Sequence, residues 1–106
     1  MSGAALPVAL DFAWDANKAA SNAQKHGVTF ARASQVFLDP LSITVYDEEH
    51  SQSEERWHTI GHDAQGAILV IAHTYQATSH HGARIRLISA RLATKQERRF
   101  YADEPR

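Results

Sequence analysis

Two arginines begin the segment Arg84-Ile85-Arg86-Leu87-Ile88-Ser89, and their spacing is the first sign of chemistry. In an extended chain, side chains alternate between faces. Arg84 and Arg86 then point one way, and Ile85 and Leu87 point the other. Burying the two aliphatic residues leaves two guanidiniums projecting side by side. Planar forks of this kind bind phosphate oxygens bidentately. The competing expectation is that they pair with acids on a neighbouring strand, Glu54 or Glu55. A second segment begins at Glu55-Arg56, where Arg56, His58, Ile60 and His62 share parity. If it lies beside the arginine strand, Arg56 and His58 join the cluster. An imidazole, with a reference pKa of about 6.5, is a natural acid or base beside a bound phosphate. Lys25 and His26 form a third pair, just before Gly27. At a helix end both complement the dipole, and His26 is also a candidate general base.

Other chemistries find little support. The chain has no Cys and so no disulfide, thiolate or Cys-ligated zinc. His58 and His62 are separated by about 13 Å if they lie on a strand. His80-His81 falls in a polar loop, and no HExxH motif occurs. The expectation is therefore no metal and no cofactor. There is also no nucleophile elbow, no P-loop and no dinucleotide fingerprint.

Charge is unevenly placed. The 106 residues carry a formal net charge of −1, yet residues 1–55 sum to −5 and residues 56–106 to +4. Arg84, Arg86, Arg91, Lys95, Arg98 and Arg99 face only Glu97 in that stretch. A basic stripe on a near-neutral chain fits a local anionic partner better than general nucleic-acid affinity, or else it is a solvated helix face. No apolar run approaches the ~18 residues that cross a bilayer. The opening MSGAALPVAL lacks a basic start and a long apolar stretch. A cytoplasmic protein without membrane contact is expected.

These residues need elements to hold them. Residues 1–9 read as an N-terminal extension and 10–106 as one domain. Leu10, Phe12 and Trp14 alternate as a short strand. Asp15 and Gly27 bracket a helix at 16–26. Thr29 caps a second helix that Asp39-Pro40 ends. From Leu41 the period changes to two, with strands at 42–47, 55–62, 67–75 and 84–89. ILVIAHTY is the most apolar of these and should be central. LATKQERRFYA, residues 92–102, reads as a closing helix with Ala93, Gln96/Glu97 and Phe100 at helical spacing and Tyr101 beside them. The order is β-α-α-β-β-β-β-α, an α+β domain with an antiparallel sheet and helices packed on one side.

The segments FAWDANKAASNAQKHGVTFARASQVF, the Asp39-Pro40 step, HSQSEERWHTIG and RIRLISARLATKQERRFY together resemble the BrnT toxins of bacterial type II toxin–antitoxin pairs. The likeness spans residues 12–101, with KHGV, Glu55-Arg56, IRLISAR and the ATxxERR run as its most specific parts. It implies a RelE-like fold and a ribonuclease toxin that blocks translation and arrests growth. It implies a BrnA-like ribbon-helix-helix antitoxin as partner, with operator DNA reached only through that antitoxin.

The implied reaction is metal-independent: the RNA 2′-hydroxyl attacks the adjacent phosphorus, giving a cyclic phosphate and a free 5′-hydroxyl. It needs a base, an acid and cations around the phosphorane. His26, Glu55, Arg56, Arg84, Arg86 and Arg91 are the expected catalytic set, with His26 first choice for proton transfer and Glu55 and His58 in reserve. Lys25, His58, Lys95, Arg98 and Arg99 are expected to bind RNA. The chain is nearer neutral than such toxins often are, and Leu92 stands where a basic residue commonly follows ISAR. A second reading therefore stands beside the first: a toxin-fold module acting mainly as the antitoxin's co-repressor. Trp57 and Tyr75 are candidates for the partner surface or the core.

Overall fold

A computed structural model describes residues 9–78 and 81–105. Most of the N-terminal extension, together with His80, lies outside the described residues. The strands are β1 (Ala9–Ala13), β2 (Ile43–Tyr46), β3 (Trp57–His62), β4 (Ile68–His73), β5 (Gln76–Ala77) and β6 (Gly82–Leu92). The helices are α1 (Ala16–His26), α2 (Phe30–Ser34) and α3 (Lys95–Asp103), and α2 runs into a 3₁₀ turn at Gln35–Leu38.

Local chemistry sets the helix ends. The Asp15 carboxylate accepts from the Lys18 N–H at 2.9 Å, and the Thr29 hydroxyl accepts from the Arg32 N–H at 3.1 Å. Each satisfies an orphan donor of a first turn. Gly27 ends α1 with φ +70°, and its N–H donates to the Ala23 carbonyl. A residue without Cβ takes that left-handed step at least cost. Two residues then lead into α2, so α1 and α2 fold back over the sheet together.

The sheet runs β1-β6-β4-β3-β2. The apolar strand β4 is central, as its composition requires. β2, β3, β4 and β6 pair antiparallel. β1 instead lies parallel to β6, with Phe12 opposite Ile85 and Ala13 opposite Arg86. This corrects the expected all-antiparallel sheet. β4 already occupies one side of β6, so β1 takes the free side, where Leu10 and Phe12 pack against the main core. β5 is a further pairing, set off from β4 and antiparallel to β6.

The core has two parts. Val28, Phe30, Ala33 and Val36 pack on Leu69, Ile71, Ile85 and Leu87. A smaller cluster joins Ile60, Val70 and Ala93 with Ile68 and Tyr101. Residues 69 and 71 of β4 alternate with 68 and 70, so the two clusters lie on opposite faces of the sheet. Hence α3, which carries Tyr101, packs on the face opposite α1 and α2. The expectation of helices on one side is corrected: α1 and α2 already fill the first face, and Tyr101 has its apolar partners on the second. Phe100, expected on the packed line of α3, is 42% exposed.

Two polar devices fix this frame. Asn22 is buried on α1, and its amide donates to the carbonyls of Val28 (2.9 Å) and Ala90 (2.8 Å). The Ala90 N–H donates back to the Asn22 carbonyl at 3.0 Å. β1 ends its pairing at Arg86, and the Asn22 amide serves Ala90 as a strand neighbour would. Asp39 is also buried. It accepts from the Tyr101 hydroxyl (2.5 Å), the His62 N–H (3.0 Å) and the Leu41 N–H (2.9 Å). Burial pushes its carboxyl up, but these donors outweigh burial and hold it below its ordinary value. Gly61 makes this approach possible, because a Cβ there would meet Val36 Cγ1 at 2.8 Å and Asp39 Oδ2 at 3.0 Å.

Candidate active site

The alternation along β6 holds from Arg84 to Leu87; beyond it a register shift against β4 turns Ala90 into the cluster of Ile85 and Leu87. Ile85 and Leu87 are buried, Arg84 is exposed and Arg86 is half-buried on the opposite side. The loop before β3 reaches this point through its own hydrogen bonds. The Asp47 N–H donates to the Arg56 carbonyl at 2.9 Å. The Ser51 hydroxyl accepts from the Arg56 N–H at 2.9 Å and donates to the Asp47 carbonyl at 2.5 Å. So closed, the loop brings Glu54 against Arg86, with Oε1 2.5 Å from Nη2. The same oxygen lies 3.7 Å from Arg56 Nη2. The Arg86 hydrogen bond, opposed by partial desolvation, holds the Glu54 carboxyl below its ordinary value. A shallow cleft of about 370 Å³ opens here, lined among others by Glu54, Glu55, Tyr75, Gln76, Arg84 and Arg86.

β4 separates β3 from β6, so the Arg56 and arginine strands are not neighbours. Glu54 nevertheless bridges Arg56 to Arg86. His58 shares parity with Ile60, opposite Ala72. Its Nε2 lies 3.5 Å from Asp47 Oδ2. Asp47 also accepts from His50 at 2.9 Å. Burial raises the Asp47 carboxyl, and the His50 contact and nearby imidazoles bring it below its ordinary value.

Other predicted residues lie apart from this cleft. Lys25 and His26 line a separate groove of about 310 Å³ with Asn17, Lys18, Ile88 and Ser89. That groove shares no lining residue with the arginine cleft. Arg91 forms a two-point pair with Glu97, at 2.7 and 2.9 Å. Glu97 is also the partner of Thr94 in a capping box at the start of α3. The Arg91 hydrogen bond, against some desolvation, lowers the Glu97 pKa from 4.5 to about 2. Arg91 thus ties α3 to the sheet. Arg98 donates to the Ala93 carbonyl at 3.0 Å, while Lys95 and Arg99 are exposed on α3.

Sequence reasoning named Glu54 only as a possible pairing acid, and it missed Gln76 at the cleft. The run Glu54-Glu55-Arg56 held a signal for Glu54, since either acid could have faced the arginines. Among the described residues, no group of three or more His, Asp or Glu could hold a metal ion. None of their helices is long and apolar enough to cross a membrane.

A family model described as the ribonuclease toxin BrnT of type II toxin–antitoxin systems matches residues 14–97. The chain belongs to the BrnT family. The matched span holds Glu54, Glu55, Arg56, Arg84, Arg86 and Arg91, whereas Arg98 and Arg99 lie just beyond it. The fold is similar to the 1.1 Å crystal structure of the Brucella abortus ribonuclease toxin BrnT, with a TM-score of 0.58 and 19% identity. That similarity covers 81% of this chain and 99% of the Brucella chain. A comparison with curated proteins finds no match.

Proposed function

We propose that this BrnT-family chain is an endoribonuclease toxin whose active site is the arginine cleft on β6. The family match carries the reading, and the convergence of Arg56, Arg86 and Glu54 supports its location. Arg86 and Arg56, helped by Arg84, hold the scissile phosphate and stabilise the charge that develops on the phosphorane. The 2′-hydroxyl attacks phosphorus, the P–O5′ bond breaks, and the products are a cyclic phosphate and a 5′-hydroxyl. Glu55, which lines the cleft, takes the acid–base role. His58 and His26 are less suited to it, because each lines a groove apart from the cleft. Lys25, Lys95, Arg98 and Arg99 serve the flanking RNA, and Arg91 acts through its hold on α3. The reaction uses no metal ion.

The type II family implies an antitoxin. We assign it the ribbon-helix-helix class and a role in repressing the shared operon. The second reading, a co-repressor with little catalysis, draws on the Glu54 carboxylate that already engages Arg86. Inducing the chain without antitoxin, beside Arg86→Ala, separates the two. Growth arrest with RNA cleavage in the parent alone supports the toxin. Normal growth with soluble, folded parent protein supports the co-repressor.

A further inference from the structure

We propose that Glu54 is a built-in stand-in for phosphate. It occupies an anion seat made by Arg56 and Arg86, from which a phosphodiester displaces it. The seat follows from geometry, and only the identity of the displacing ligand rests on the ribonuclease reading.

Carboxylate and phosphate are the two anions that a guanidinium fork matches. The Glu54 carboxylate hydrogen-bonds one arginine and meets the other only as a looser ion pair. It lies 2.5 Å from Arg86 Nη2 but 3.7 Å from Arg56 Nη2, beyond hydrogen-bond range. Arg56 also has a buried Nε with no hydrogen-bond partner among the described residues. Buried donors are nearly always paired, so an orphan calls for an explanation. The seat is larger than a carboxylate. A tetrahedral phosphate, with more acceptor oxygens, spans both arginines. Arg84 lines the same cleft and has no ion-pair partner among the described residues, leaving its charge for the next phosphate.

Displacement is mechanically simple. Glu54 sits on the loop before β3 with its side chain 42% exposed. The loop is anchored by Ser51 and Arg56 backbone contacts, not by Glu54. Its carboxylate can swing into water while the loop stays closed. An exposed ion pair is weak, so the plug is easily removed yet lowers the share of molecules ready to bind. Apparent affinity falls by that share.

Equilibrium binding to the full chain tests the seat with two probes: inorganic pyrophosphate, and a 2′-O-methyl RNA oligonucleotide that lacks the attacking hydroxyl. Glu54→Gln, shown folded by circular dichroism, is expected to bind both about three- to tenfold tighter than the parent. The gain should vanish in the Arg86→Gln background, because the freed donor is then missing. Unchanged or weaker binding of pyrophosphate by Glu54→Gln overturns the proposal. So does a gain that survives Arg86→Gln, which would be a general charge effect. Tighter pyrophosphate binding with no binding of the RNA oligonucleotide would keep the seat and discard the ribonuclease reading. An effect confined to antitoxin capture, with pyrophosphate unchanged, would refute the seat and mark Glu54 as a protein contact.

Discussion

Replacing Asn22 by Ala should cost far more than a polar helix residue normally does. The amide makes three hydrogen bonds, to Val28 O, Ala90 O and Ala90 N. It is only 6% exposed. Each bond is worth about 1 kcal/mol net, and a buried partner left unpaired costs about 1–3 kcal/mol. Water entering at the edge of β6 recovers part of this, so the expected loss is about 3 kcal/mol. For a 106-residue domain that corresponds to roughly 10–20 °C in melting temperature. Asn22→Asp keeps the shape but turns both donors into an acceptor facing two carbonyls, so it should cost more at neutral pH. Urea unfolding reads both values, with an unchanged m-value showing that stability changed while the surface exposed on unfolding did not. An Asn22→Ala protein within 1 kcal/mol of the parent would refute the strand-neighbour role.

Other outcomes follow from the same contacts. Gly61→Ala should destabilise by about 1–3 kcal/mol in urea unfolding, because its Cβ would meet Val36 Cγ1 at 2.8 Å. Glu97 has a folded pKa of about 2 against 4.5 ordinarily. Its stabilisation is therefore full above pH 4.5 and is lost between 4.5 and about 2. Because Arg91 is 40% exposed, solvent reduces this to about 1–2 kcal/mol. Glu97→Gln should flatten that limb of an acid titration and speed hydrogen exchange in α3. Burial lowers the pKa of His73, opposed by its hydrogen bond to the Thr74 carbonyl. The unfolded chain then binds more protons, so stability should fall as pH drops below about 6.5, by up to about 1.4 kcal/mol per unit. Urea midpoints between neutral and mildly acid pH measure it, and His73→Gln should remove that slope.

Much of the fold was legible because single segments carried complete signals. Asp15 and Gly27 marked both ends of α1, and the run ILVIAHTY marked the central strand. What failed needed partners distant in sequence. Nothing in Leu10-Asp11-Phe12 tells whether it pairs parallel or antiparallel, since that depends on which edge of β6 stays free. The spacing of Ala93 and Phe100 identified a helix but not its face, which Tyr101 and the buried Asp39 decide. Nothing near Asn22 in the sequence marks it as buried, because its partner Ala90 lies 68 positions away. In the candidate site, alternation along β6 found Arg84 and Arg86. It could not show that Glu54 rather than Glu55 would reach Arg86, because that depends on the closure of the loop at Ser51. The Thr94/Glu97 capping pattern was readable and would have warned that Arg91 meets a structural acid.

Cleavage of a defined RNA by the purified chain in excess chelator, beside Arg86→Ala, tests the arginine cleft directly. The parent is expected to cleave, with products ending in a cyclic phosphate, and the variant to lose about 10²–10³ in rate. The variant should stay folded, since the lost ion pair is exposed and weak. Full activity in Arg86→Ala would remove the arginine cleft from the reaction, and activity that disappears with chelator would contradict the metal-free mechanism.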